Sequence, residues 1–162
     1  MGVVIPSDRR QVETVYADWW RGDSPMRMAR RPKLGSVVQF ALPNGRYAYG
    51  RVLHDAAVGF YSATTDGPGE PPIGSRDFQF VVGVDDRTLR GDAVSVVGYD
   101  PGIDEADDWP PTQAIWDPLT GRPKVYIRGE IHPATVDEAT GLEPVASWAL
   151  EHLIPRLMSN EA

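Results

Sequence analysis

From Leu34 to about Tyr99 the chain alternates apolar and polar residues with a period of two, the pattern of half-buried strands. Ser36 to Leu42 and Arg46 to His54 are rich in Val, Phe, Tyr and Leu and flank Asn44-Gly45. That dipeptide predicts a two-residue hairpin turn, because both residues adopt positive φ at little cost. In the first strand Val38, Phe40 and Leu42 share one face, with Val37, Gln39 and Ala41 on the other. In its partner Tyr47, Tyr49, Arg51 and Leu53 alternate with Ala48, Gly50 and Val52. Ala57 to Ala63 predicts a third strand that completes a meander, and Phe78 to Val84 and Ala93 to Tyr99 predict two more. Thr64 to Ser75, with three Gly and three Pro, reads as a loop. Asp100 to Thr112 is acidic and Pro-rich, and predicts an exposed loop. Pro118 to Pro123 reads as a turn, and Lys124 to Ile131 as a sixth strand alternating Val125 and Ile127 against Tyr126, Arg128 and Glu130.

The period becomes helical at both ends. Ser7 or Asp8 suits an N-cap, with Gln11 completing a capping box, for a helix over Ser7 to Arg21 stopped at Gly22. Val12, Val15, Tyr16, Trp19 and Trp20 form its apolar stripe; the two tryptophans suit a core, or an anchor for a partner or a second copy. Asp23 to Lys33, with Pro25, Pro32 and four basic residues, is a connector. A short helical piece near Val136 to Ala139 ends at Gly141. A last helix is predicted from about Pro144 toward Met158, with Val145, Trp148, Ala149, Leu153 and Leu157 as its stripe and Pro155 kinking or ending it near His152. The expected fold is α+β and mainly β. It is a strongly bent antiparallel sheet, partly open and barrel-like, with an N-terminal and a C-terminal helix. Residues 1–33 form the helix and basic connector, and 34–162 the β-rich domain.

The length of 162 residues suffices for a real core. The absence of cysteine excludes disulfides and thiolate metal sites. No apolar run approaches the roughly 18 residues of a membrane span, and no secretory-type apolar segment opens the chain. A soluble, cytoplasmic protein is expected, with no membrane contact. The net charge of −7 is uneven: residues 1–33 carry 7 basic and 4 acidic side chains, and residues 34–162 carry 9 and 19. Such an acidic body repels nucleic acid and attracts a cationic partner.

Candidate chemistry is sparse. Asp104-Glu105-Ala106-Asp107 spells a helicase signature, but no phosphate-binding loop accompanies it. Glu130 and His132, two apart on a predicted strand, face one side and could serve as an acid/base pair or as two metal ligands. A surface pair at a strand end is the simpler reading. No third ligand stands near them, so no metal or cofactor is expected. Asp100, Asp104, Glu105, Asp107 and Asp108 form an acidic cluster that lacks the spacing of a calcium loop. With Trp109 at its end, the cluster is a candidate surface for a cationic partner, or a solvated loop. Arg51 and Arg128 each stand beside a Gly on an apolar strand. A guanidinium there pairs with a carboxylate, stacks on an aromatic ring or meets a ligand. Asp117 is one candidate carboxylate, and Tyr47, Tyr49, Trp116 and Tyr126 are candidate rings.

Four ordered pieces between Lys33 and Leu157 resemble the immunity protein 26 family of bacterial polymorphic toxin systems. They are Gly35 with its strand, Asn44-Gly45 with Tyr47-Ala48-Tyr49-Gly50-Arg51-Val52, Val58-Gly59-Phe60-Tyr61, and Trp116 through Glu130. Gly45, Tyr47, Tyr49, Gly50, Arg51, Trp116, Asp117, Tyr126, Arg128 and Gly129 carry the pattern and read as scaffold. The resemblance implies a small, mainly β, non-catalytic protein that binds and neutralises a cognate toxin domain. An acidic body suits a basic nuclease as that toxin. Two other readings stand beside it. One is an SH3-like module that takes a peptide on Tyr47, Tyr49 and Tyr61. The other is a small hydrolase built on Glu130, His132 and Asp117.

Overall fold

The computed structural model describes residues 30–69 and 71–159. The predicted helix over Ser7 to Arg21, with Trp19 and Trp20, lies outside these residues.

Strands β1 (Ser36–Ala41), β2 (Tyr47–Val52), β3 (Ala57–Thr65) and β4 (Phe78–Val84) form an antiparallel meander. A helical turn, Asp86–Leu89, then starts the crossover that takes β5 (Val94–Tyr99) to the far edge beside β1. β9 (Ser147–Trp148) adds a short parallel strand to β4, giving the order β5-β1-β2-β3-β4-β9. A separate sheet joins β6 (Gln113–Trp116), β7 (Pro123–Ile127) and β8 (Glu130–Pro133). The larger sheet bends at register shifts in the β1–β5, β2–β3 and β3–β4 pairs, where extra residues increase local twist. It stays open rather than closing into a barrel.

The alternation read from the sequence sets the two faces. Val38, Phe40, Leu42, Ala48 and Val52 face the core with Val58, Phe60, Val82 and Val84. The rings of Phe40, Phe60 and Phe80 step across three strands at 5.2 and 5.0 Å between centroids, tilted as aromatic quadrupoles prefer. The C-terminal helix, Leu150–Ser159, closes this face with the fully buried Leu153 and Leu157. Each buried leucine contributes about 1.5–3 kcal/mol of apolar burial. Arg156 lies 4.0 Å over Phe80 and grips Glu143 with two bonds of 2.7 and 2.8 Å. Val37, Tyr49 and Tyr61 form a smaller cluster on the opposite face.

Several predicted elements change in the fold. The Asn44-Gly45 turn is a three-residue loop, and Gly45 alone of the pair has positive φ, at 81°. The ring of Pro43 fixes a first turn position, Gly45 N–H donates to Leu42 at 3.1 Å, and Leu42 N–H donates to Arg46 at 2.9 Å. The two-residue turn with both φ positive falls at Arg128 and Gly129, at 45° and 88°. It splits the predicted strand Lys124 to Ile131 into β7 and β8. The loop from Asp100 to Thr112 contains a 3-10 turn, Glu105–Asp108, and β6 follows it as a strand that the sequence pattern does not announce. The last helix starts at Leu150, not near Pro144. Gly83 lacks the Cβ that would meet the Ala146 carbonyl at 2.4 Å, so the segment before the helix docks as β9. Val145 is therefore exposed, and Trp148 packs from a strand. Pro155 sits inside the helix without ending it, and Leu157 one turn later is buried.

Candidate functional site

The alternation of β2 puts Arg51 on the face opposite the core, where its side chain is 1% exposed. A buried guanidinium needs every donor answered, because an unpaired buried charge is strongly destabilising. Its Nε donates to the Asp100 carbonyl at 3.1 Å, Nη1 to the Asp107 carbonyl at 2.8 Å and Nη2 to Asp108 Oδ1 at 2.7 Å. One arginine on a rigid strand thus fixes both ends of the segment from Asp100 to Asp108. Gly102 makes room for it, since a Cβ there would lie 3.0 Å from Arg51 Nη2.

The Asp100 carboxylate is also buried and points back into the protein. It accepts bonds from Gly74 N–H, Arg76 Nη1 and Gly102 N–H, each 2.9 Å long. Burial pushes its pKa up, but the Arg76 guanidinium and the Gly102 and Gly74 amides together outweigh burial and hold it at about 2. Arg76 Nε lies 3.2 Å from Asp107 Oδ2, which also accepts from Ile103 N–H at 2.6 Å. The Ile103 bond leads the causes that hold the Asp107 carboxyl below its ordinary range. Asp104 caps the 3-10 turn by accepting from Ala106 N–H at 2.8 Å. Tyr61 packs beneath this cluster with its hydroxyl buried and unbonded among the described residues. Burial, reinforced by the Asp100 charge, pushes its pKa up to about 12.

The acidic cluster is therefore divided. Asp100, Asp107 and Asp108 are drawn inward by Arg51 and Arg76, while the Asp104 and Glu105 side chains face solvent. Trp109 at the end of the turn stacks on His54, with ring centroids 4.2 Å apart. Trp109, Pro110 and Pro111 form one wall of an open groove of about 640 Å³, and Ile127 and Arg128 form the other. Arg128 is exposed and makes no ion pair among the described residues. Its positive φ belongs to the hairpin tip.

The remaining family-pattern residues lie elsewhere. Tyr49 is buried, its hydroxyl bonded to Thr65 Oγ1 at 2.8 Å and to Gly69 N–H at 3.1 Å. Tyr61 is equally buried, so Tyr47, Tyr49 and Tyr61 present no open aromatic groove to a peptide. Asp117 does not reach Arg51. It caps the β6–β7 turn, accepting from Leu119 and Thr120 N–H at 2.8 and 3.0 Å. The Thr120 bond leads the causes that hold its carboxyl low. Trp116 is partly exposed at the same end of β6, and the Tyr126 hydroxyl donates to Asp55. Glu130 and His132 stand 3.2 Å apart on an exposed strand. Asp117 sits at the other end of β7, so the three do not converge. No group of three potential metal ligands occurs among the described residues.

Sequence reasoning missed Arg76 and Gly74, which approach Asp100 from a loop more than twenty residues away and carry no local signal. It favoured an internal role for Arg51 without finding the right carboxylate.

The model of a family described as Immunity protein 26 matches residues 33–121, which runs from the residues before β1 through β6. The match stops short of the Leu157 limit read from the sequence, so β7, β8 and the C-terminal helix lie beyond it. Neither a curated protein nor a solved structure matches the chain.

Proposed function

Since the chain belongs to the Immunity protein 26 family, whose model covers more than half of it, we propose that it is a non-catalytic immunity protein that binds and neutralises a cognate toxin domain in the cytoplasm. The observation that carries this reading, beyond the family, is the division of the acidic cluster. Arg51 and Arg76 take up Asp100, Asp107 and Asp108 to fix the turn, and Asp104 and Glu105 stay on its outer side. A turn held this way presents charge at little entropic cost on binding. Its carboxylates suit a basic toxin, such as a nuclease whose cations otherwise hold phosphates. Capture of such a toxin would block its active surface without any chemistry by this chain.

The test is co-expression with the C-terminal domain of a large secreted protein encoded beside this one. Rescue of killed cells together with co-purification supports neutralisation by binding. Rescue without a complex would replace binding by chemistry, and Glu130 and His132 would then be the first residues to change. Failure to rescue any toxic neighbour would sink the reading.

A further inference from the structure

Three exposed apolar side chains surround the buried Asp100. Ile73 is 48% exposed and precedes Gly74, whose N–H binds the Asp100 carboxylate. Ile103 is 84% exposed and follows Gly102, whose N–H binds the same carboxylate. Tyr99 is 61% exposed and directly precedes Asp100, its ring lying over Gly35. A single exposed isoleucine needs no explanation. Here three come from two loops and a strand end that are far apart in sequence, and a two-arginine, three-aspartate network fixes the backbone beside each. Asp104 and Glu105 follow Ile103 directly and edge the patch with carboxylates.

An apolar centre with a charged rim is the composition of a protein-binding surface, and a fixed backbone lowers the ordering cost of using it. The rim sets the sign of the partner. Building on the proposed immunity role, we infer that Ile73, Tyr99 and Ile103 form the centre of the toxin-docking surface. Asp104 and Glu105 are its steering rim, and the occupant is a folded basic domain with an apolar patch of its own. The Trp109–Arg128 groove lies at the other end of the acidic turn and is a separate feature.

The test uses the purified toxin domain that the growth assay identifies, and surface plasmon resonance with the full chain. An Ile73→Ser/Ile103→Ser double variant changes only solvent-exposed side chains, so its melting temperature should stay within a few degrees of the parent's. We expect it to raise koff by about thirtyfold or more and to leave kon within about threefold, as for a buried anchor. Asp104→Asn/Glu105→Gln keeps the turn's cap. It should instead slow kon by about tenfold at low salt, with little effect on koff. If the parent binds and the isoleucine variant dissociates at the parent's rate, the patch is not the docking centre. A hydrogen-exchange footprint confined to Trp109 and Arg128 would overturn the inference in the same way. So would sedimentation showing a dimer of this chain that Ile103→Ser breaks without altering toxin affinity. Absence of parent binding would instead remove the immunity reading on which the inference rests.

Discussion

Replacing Arg51 with Met keeps the length and apolar stem of the side chain and removes every donor. Three bonds disappear: two to the carbonyls of Asp100 and Asp107, and one to the Asp108 carboxylate. A typical net value is about 1 kcal/mol for a neutral acceptor and about 1.5–3 kcal/mol where charges meet. The bonds together therefore contribute about 3–5 kcal/mol, the range measured when one partner of a buried pair is removed. Partial exposure of Asp108, at 21%, lets water answer its oxygen and favours the lower end. Against a total stability of about 5–15 kcal/mol this is a large share. Urea unfolding should show a midpoint lower by about 1–3 M. Native-state hydrogen exchange should accelerate first over residues 101–109, while the strands keep their protection. Arg51→Lys leaves one compact cation for three acceptors and should fall between the two. Arg128→Met, at an exposed hairpin tip, should shift stability by no more than about 0.5 kcal/mol. A loss below about 1 kcal/mol in Arg51→Met, or equal losses in Arg51→Met and Arg128→Met, would refute the view that Arg51 fixes the acidic turn.

Two further perturbations test other joints of the fold. The folded pKa of Asp100, about 2, lies below the unfolded value of about 3.9, so its ionised form stabilises the protein above about pH 4 and that stability is lost as pH falls toward 2. Acid titration of unfolding should show about 2 kcal/mol of pH dependence in this window that Asp100→Asn lacks; parallel curves for the two proteins would contradict the assignment. Gly83→Ala places a Cβ 2.4 Å from the Ala146 carbonyl and should cost about 1–3 kcal/mol by displacing β9. The Asp85 amide, bonded to the Trp148 carbonyl at 3.0 Å, should then exchange faster, and an unchanged melting temperature would show that the segment adapts freely.

The chain's own alternation determined the faces of β1 and β2, because a strand's period of two leaves no choice once one face is buried. The placement of β4, the helical turn Val136–Ala139 with its Thr135 cap, and an internal role for Arg51 were legible for similarly local reasons. What local pattern could not decide was anything dependent on a distant partner. β9 is a strand because Gly83 lets it approach, and the three-residue turn at Asn44 arises because Pro43 fixes the torsion before it. The acidic segment reads in sequence as uniformly exposed. Only tertiary structure divides it, by bringing Arg51 and Arg76 against three of its carboxylates and leaving Asp104 and Glu105 outside. The physical reason is that a buried guanidinium must find acceptors wherever the fold supplies them, and their identity is set by the packing of loops that are remote in sequence.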